Sequence, residues 1–266
     1  VTRQHRSFSN FNDAGIAIFD NGVQRPTTTP PQTTSTTSVV FASPSQLYGN
    51  GNNGFTKFAV DGSGVTTTDF FMFESGNQFT LANNRLYGSS GQVLDPSTGE
   101  LLGTFFGAAG PAHVIDVANN RAIFLTNQNG FLQIRAYDLN TFLPLGFVNI
   151  SGISGGSSDL MRWGTNGLAF RTDGGQLYLI QTELVNASVP VASPTPTPSP
   201  TPSPTPAYVP TFIRRLNLPA SDLVYSAATQ SLYVSLPSSF GVNGNSLTKI
   251  NPSTGDIGPS VFIGSE

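Results

Sequence analysis

Two glycine-rich stretches have the spacing of known functional motifs. GNGNNG, Gly49–Gly54, fits the G-x-G-x-x-G pattern of dinucleotide sites, which needs a following helix to hold the pyrophosphate. GISGG, Gly152–Gly156, fits the G-x-S-x-G nucleophile pattern around Ser154, which needs a strand-to-helix turn and a histidine partner. A strand and a turn follow the first motif, and the second lies in a Gly/Ser loop. We therefore predict loops at both places, and no bound cofactor.

His113 is the one histidine away from the N-terminal stretch, and it could ligate a metal or act as a base. No second histidine stands at ligand spacing. Asp116 would lie on the opposite face of a strand from His113, because side chains alternate along a strand. We predict a structural role for His113 at a strand end, and no metal site.

Arg162 and Trp163 are adjacent and form a candidate ligand platform, together with His113. An exposed indole can stack on a sugar ring, and a guanidinium can lie beside it. The alternative is that Trp163, the one tryptophan of the chain, fills space between packed sheets. We favour this second interpretation.

Several residues are candidate acceptors for glycans. Asn149 and Asn186 each begin an N-x-S sequon. A tract of alternating proline and Ser/Thr, residues 193–206, has the composition of O-glycosylated stalks, as does TTTPPQTTSTTS at residues 27–38. The candidate O-linked acceptors are Thr195, Thr197, Thr201 and Thr205.

The charge pattern excludes some partners. Only 10% of the residues are charged, two of them are lysines, and the ten arginines are scattered, so no basic stripe exists for nucleic acid. No apolar run is long enough to span a membrane. The absence of cysteine excludes disulfides and thiolate sites.

The residues that could do chemistry stand among short β-strands. A strand with Leu-Tyr or its equivalent recurs five times, with its aromatic residue at Tyr48, Tyr87, Phe124, Tyr178 and Tyr233. The intervals are 39, 37, 54 and 55 residues, and the last becomes 41 without the 14-residue proline tract. A turn recurs downstream, as DPSTGE from Asp95, DLNTF from Asp138 and NPSTGD from Asn251. Its first side chain is expected to cap the turn, and its glycine to take the left-handed position.

A repeat of about 40 residues with four strands is typical of a β-propeller blade. We therefore predict an all-β fold, a β-propeller of four-stranded blades formed by residues 1–266 as one domain. The leucines that precede the aromatic positions are predicted to lie in the core between blades, and they are Leu47, Leu86, Leu177 and Leu232.

Three segments resemble bacterial extracytoplasmic propellers of the YVTN and surface-layer type. They are GQVLDPSTGELLGTF from Gly91, LMRWGTNGLAFRT from Leu160 and LYVSLPSS with GNSLTKINPSTGDI from Leu232. By this resemblance we expect five blades and a remnant at residues 15–26, the outer strand of a further blade, from a ring of seven. The chain would then belong to a longer protein, or other copies would complete the ring.

The resemblance implies a non-enzymatic structural or protein-interaction module of a cell-surface or secreted assembly, in the extracellular space or the periplasm. The expected partners are other proteins or further copies, through exposed blade edges, and glycans. A lectin-like propeller is one alternative. A propeller lyase that acts through His113 is another, since some bacterial propellers use a central histidine.

The proline tract is predicted to interrupt one blade rather than to separate two domains. It stands between QLYLIQTELV, predicted as the second strand of the fourth blade, and TFIRRLNL, a later strand of the same blade. In a polyproline II conformation it would extend about 40 Å.

Overall fold

The computed structural model describes residues 2–4, 14–29, 38–51, 54–72, 76, 78–128, 130–186 and 211–264. The described chain is almost entirely β-strand and divides into two compact units, residues 1–104 and 105–266. Within the described residues there are five four-stranded antiparallel sheets and two two-stranded ones. In each four-stranded sheet the strands lie in chain order, as expected for a propeller blade.

The first unit contains sheets 1 and 2 and the two small sheets. The small sheets pair β1 (Thr2–Gln4) with β2 (Ala14–Ala17), and β3 (Phe19–Asp20) with β4 (Val23–Gln24). Sheet 1 consists of β5 (Ser38–Ser43), β6 (Gln46–Gly51), β7 (Gly54–Asp61) and β8 (Gly64–Met72). Sheet 2 consists of β9 (Phe79–Ala82), β10 (Arg85–Gly88), β11 (Gln92–Leu94) and β12 (Leu101–Thr104).

The second unit contains sheets 3, 4 and 5. Sheet 3 consists of β13 (Ala112–Asp116), β14 (Arg121–Gln128), β15 (Phe131–Asp138) and β16 (Pro144–Ile150). Sheet 4 consists of β17 (Ser157–Trp163), β18 (Gly167–Thr172), β19 (Gln176–Thr182) and β20 (Thr211–Asn217). Sheet 5 consists of β21 (Asp222–Ser226), β22 (Ser231–Leu236), β23 (Ser246–Ile250) and β24 (Ile257–Phe262). Two short 3-10 segments are Glu183–Val185 and Ser238–Asn243.

The predicted leucine core is confirmed, since all four leucines are fully buried. In the second unit, sheet 4 packs on both of its faces. Its Phe170 and Tyr178 join Ile123 and Leu125 of sheet 3 in one cluster. The residues Ala169, Leu177 and Leu179 join a second cluster with Leu232, Val234 and Ile250 of sheet 5. Strand alternation explains the arrangement, because successive residues of one strand serve opposite neighbours.

The predicted position of QLYLI in its blade is wrong. Residues 176–180 belong to β19, the third strand of sheet 4, and the second strand is β18, GLAFRT. A Leu-Tyr pair marks a buried strand but does not say where that strand stands in a sheet. β19 pairs with β20 over seven residues, from Gln176 with Asn217 to Thr182 with Thr211. The proline tract stands between these two strands and lies outside the described residues.

The remnant at residues 15–26 is not one outer strand. It contains most of β2 and the β3–β4 hairpin, because Asn21 and Gly22 have positive φ angles of 50° and 84° and make a tight turn. The predicted loop at GNGNNG is mostly paired strand, because Gly49–Gly51 end β6 and Gly54 begins β7, and residues 52–53 lie outside the described residues. The second motif lies in a loop as predicted, since Ser154 precedes β17 and no helix follows it.

Candidate functional site

Trp163 is not an exposed platform. The indole is 4% exposed, and its Nε1 donates a hydrogen bond of 2.8 Å to the carbonyl of Leu168. It packs in the cluster between sheets 4 and 5, and a Cβ at Gly167 would lie 2.2 Å from the ring. The indole is packed between the two sheets and its one donor is bonded within the protein, so its ring face is not available to stack on a sugar. The interpretation of Trp163 as core is therefore the better one.

Arg162 serves the fold rather than a ligand. Its Nε donates to Asp116 Oδ2 at 2.9 Å, and its Nη2 donates to the carbonyl of Thr165 at 2.8 Å. Burial lowers the pKa of Arg162, and the carboxylate of Asp116 opposes that effect. The pair joins the first strands of sheets 3 and 4, because Asp116 ends β13 and Arg162 lies on β17.

His113 is buried on β13 and stacks on Phe124, with 5.4 Å between ring centroids and 24° between the planes. The structure thus places the three platform candidates in three separate settings, and it does not bring them together. No cluster of three or more His, Asp or Glu side chains suited to a metal occurs among the described residues.

Of the candidate glycan acceptors, the structure describes two. Asn149 is an exposed residue of β16, and its Oδ1 accepts a hydrogen bond of 2.8 Å from Gln133 Nε2. Asn186 follows the 3-10 segment, and its side-chain amide donates to Glu183. Thr195, Thr197, Thr201 and Thr205 lie outside the described residues.

The repeated turns have the capping geometry that their sequence predicts. Each joins the third and fourth strands of a sheet, with Asp95, Asp138 or Asn251 as its first residue. The side chain of that residue accepts a backbone hydrogen bond two residues on, for example 2.7 Å from Ser97 N–H to Asp95 and 3.0 Å from Ser253 N–H to Asn251. The fifth residue donates its N–H to the carbonyl of the first in all three turns. These carboxylates are therefore structural.

The glycine of the turn has a second role that the sequence did not reveal. Gly99 has φ 76°, and a Cβ there would lie 2.2 Å from the ring of Phe71, on the fourth strand of sheet 1. Gly255 also has φ 76°, and a Cβ there would lie 2.3 Å from Arg214 Cδ, on the fourth strand of sheet 4. The turn thus receives a side chain from the outer strand of the preceding sheet.

One face of sheet 5 is uncovered, and we call it the open face. Residues that pair across neighbouring strands share a face, and the pairs Val224–Tyr233, Tyr233–Lys249 and Leu247–Val261 define this one. Val224 and Val261 are 58% and 63% exposed. Tyr233 is partly exposed, although Tyr48 and Tyr87, which hold the same place after a leucine on the second strand, are buried. Among the described residues of the second unit, neither of the two core clusters includes Val224, Tyr233 or Val261.

A groove of about 730 Å³ runs between sheets 4 and 5, and we call it the sheet 4–5 groove. Its sheet 4 wall includes the β17–β18 turn at Gly164–Asn166 and Gln181 of β19. Its sheet 5 wall includes Tyr225 and the turn at residues 251–256. In an antiparallel sheet, the turn between the first and second strands lies at the same end of the strands as the turn between the third and fourth. The groove therefore opens at the end of sheet 4 where β19 ends.

No protein-family model and no curated protein matches the sequence. Among solved structures, the chain is similar to Hsv2 of Kluyveromyces lactis, with a TM-score of 0.49, 7% identity and coverage of 86% of this chain and 64% of that one. The chain is also similar to another Kluyveromyces Hsv2, with a TM-score of 0.49 and 9% identity, and this match covers 88% of this chain and 64% of that one. The chain thus spans less than two thirds of these Hsv2 chains.

A chain of the mitotic checkpoint complex gives a TM-score of 0.52 with 13% identity, and the match covers 94% of this chain and 76% of that one. These neighbours are WD40-type β-propellers. No helix among the described residues is both long and apolar enough to cross a membrane. Strand order, sheet composition and the similarity to the checkpoint-complex chain agree, and the protein has a β-propeller fold of four-stranded sheets.

Proposed function

We propose that this protein is a non-enzymatic interaction module that docks onto another protein through the open face. One observation carries the proposal: Val224 and Val261 stay more than half exposed, while Leu232 and Ile250 on the reverse face of the same sheet are buried in the cluster with sheet 4. Blades of a propeller bury both faces on neighbouring sheets, and sheet 4 does so here. An apolar sheet face without a neighbour marks an interaction site.

The partner we propose is a second copy of this chain. A flat sheet face fits another sheet face, and a symmetric pair of copies presents the same patch twice. The open face also carries Asp222 on its first strand and Lys249 on its third. Two copies in antiparallel arrangement can therefore place unlike charges opposite each other, which favours this register over others.

Sedimentation velocity over a range of protein concentrations tests this proposal. We expect the wild-type chain to show a concentration-dependent dimer, and Val261→Asp to be monomeric, because a carboxylate would be buried without a partner. Val242→Asp is the matched control, since Val242 is fully exposed on the 3-10 segment Ser238–Asn243 and lies outside the open face. A wild-type monomer at every concentration, or equal dimerisation of Val261→Asp, contradicts the proposal.

We propose further that the module belongs to a cell-surface or secreted assembly and is kin to YVTN and surface-layer propellers. The support is compositional: two lysines, long Ser/Thr/Pro tracts and the DPSTG-type turns. Glycosylation of the proline tract is part of this proposal. Mass spectrometry of the protein purified from its source tests the glycosylation. An unmodified mass for the peptide that contains the proline tract, residues 193–206, would count against it.

An enzymatic role through His113 has less support. Its ring is buried against Phe124 rather than presented to solvent. His113→Gln is therefore expected to change stability rather than any activity of the protein.

A further inference from the structure

We propose that the sheet 4–5 groove binds a neutral saccharide. Most residues of this groove lie outside the open face, although Lys249 belongs to both. Its volume of about 730 Å³ falls within the range of small-ligand sites, roughly 300 to 1,000 Å³. The proposal does not rest on self-association, and either can fail without the other.

The chemistry of the walls points to the ligand class. Side-chain amides stand on both walls, with Asn166 and Gln181 on sheet 4 and Asn251 on sheet 5. An amide offers two donors and one acceptor, so Asn166 and Gln181 can satisfy the hydroxyl groups of a sugar, each of which both donates and accepts. Asn251 offers its Nδ2 donors, because its Oδ1 caps the turn. Thr165, Thr229 and Ser253 add hydroxyls along the rim. Such a set is suited to a polyol.

The charge of the groove favours a neutral ligand. Lys249 and Asp256 are its charged lining residues, and their charges cancel. A phosphorylated or sulfated ligand would need an excess of cations, and a cationic ligand would need an excess of carboxylates. Neither excess is present in the lining.

Tyr225 supplies the apolar surface that a sugar ring needs. It is partly exposed, lines the groove and packs against the sheet 4–5 cluster that also holds Trp163. The C–H face of a pyranose stacks on such a ring, which keeps one polar end in water. A proline-rich peptide is a poorer fit, because it docks into a groove lined by several exposed aromatic rings, and Trp163 is buried, which leaves Tyr225 as the accessible aromatic residue among the lining residues.

The experiment uses the full chain and four neutral probes: cellotetraose, chitotetraose, maltotetraose and mannotetraose. Saturation-transfer NMR and tyrosine fluorescence are expected to detect at least one of them with a Kd of about 0.1 to 5 mM, which corresponds to a few hydrogen bonds and one stacked ring. Tyr225→Ala and Gln181→Ala are expected to weaken that binding about tenfold each.

Val242→Ala is the matched control, because Val242 is fully exposed on the 3-10 segment Ser238–Asn243 and lies outside the lining of the groove. It should leave saccharide binding unchanged. Circular dichroism checks the fold of every variant, and Gln181→Ala keeps the test valid if Tyr225→Ala unfolds. The proposal is overturned if none of the four probes binds, if both groove variants bind as the wild type does, or if the peptide SPTPTPSPTPSPTP binds in their place.

Discussion

Sheets 3 and 5 share strand order and turn type, but they differ in what covers them. In sheet 3, Ile123 and Leu125 on the second strand are buried against sheet 4. In sheet 5, Tyr233 and Val224 lie on the open face, which belongs to neither core cluster of the second unit. The two sheets also differ inside the shared turn, where Asp138 and Phe142 correspond to Asn251 and Gly255. The same strand order thus occurs in both sheets, and the neighbouring sheets decide whether a face is core or surface.

The largest expected difference is in the free energy of unfolding, between a substitution in the buried face of sheet 3 and one in the open face of sheet 5. Ile123→Ala should lower the free energy of unfolding by about 2 to 5 kcal/mol, because it leaves a cavity in a fully buried cluster. Val224→Ala should change it by less than about 0.5 kcal/mol, because Val224 is largely exposed. Urea denaturation at a concentration where the protein is monomeric measures both. Equal effects would mean that the open face is covered in solution.

A smaller difference is expected at the fifth residue of the turn. Gly255→Ala should cost about 1 to 2 kcal/mol, because φ is 76° and the new Cβ would meet Arg214. At the same place in sheet 3, Phe142 accepts φ 61° and packs on Phe105, with centroids 5.2 Å apart. Phe142→Gly removes the strain of the positive φ angle but also removes the packing on Phe105. It should therefore lower the free energy of unfolding by less than Gly255→Ala does. Thermal unfolding of the two variants compares them, and a larger loss for Phe142→Gly would reverse this ranking.

The smallest expected difference is in the pH dependence of stability, between the turn of sheet 3, which begins with Asp138, and that of sheet 5, which begins with Asn251. Partial burial raises the pKa of Asp138, but hydrogen bonds from the backbone N–H groups of Thr141 and Asn140 outweigh it and hold the pKa below its ordinary value. A carboxyl with a lowered folded pKa stabilises the protein fully above the unfolded value of about 3.9, and this stabilisation is lost as the pH falls through the folded pKa. Asn251 does not titrate.

Asp138→Asn should therefore flatten the decline of stability below about pH 4, and Asn251→Asp should steepen it. Urea midpoints measured from pH 6 down to pH 3 test this. Parallel curves for the wild type and Asp138→Asn would show that the carboxylate of this turn does not contribute.

Much of the fold could be predicted because its signals are local. The cap of each turn depends on residues two to four positions apart, and the alternation of Leu47 and Tyr48 depends on one strand. The candidate site was harder to predict. Tyr225, Gln181 and Asn251 come from different strands and turns, and each is an ordinary polar or aromatic residue in the sequence. The interval of 54 residues between Phe124 and Tyr178 was the available signal that QLYLI is a third strand, since it exceeds the period by about one strand and turn.

The sequence by itself determined the all-β class, the four-strand period and the capped turns, because these follow from residue types within a few positions of each other. Tertiary structure alone decided the burial of Trp163, the pairing of Arg162 with Asp116 and the exposure of the open face. Each of these depends on which sheet lies beside which, and that is set by contacts between residues far apart in the chain.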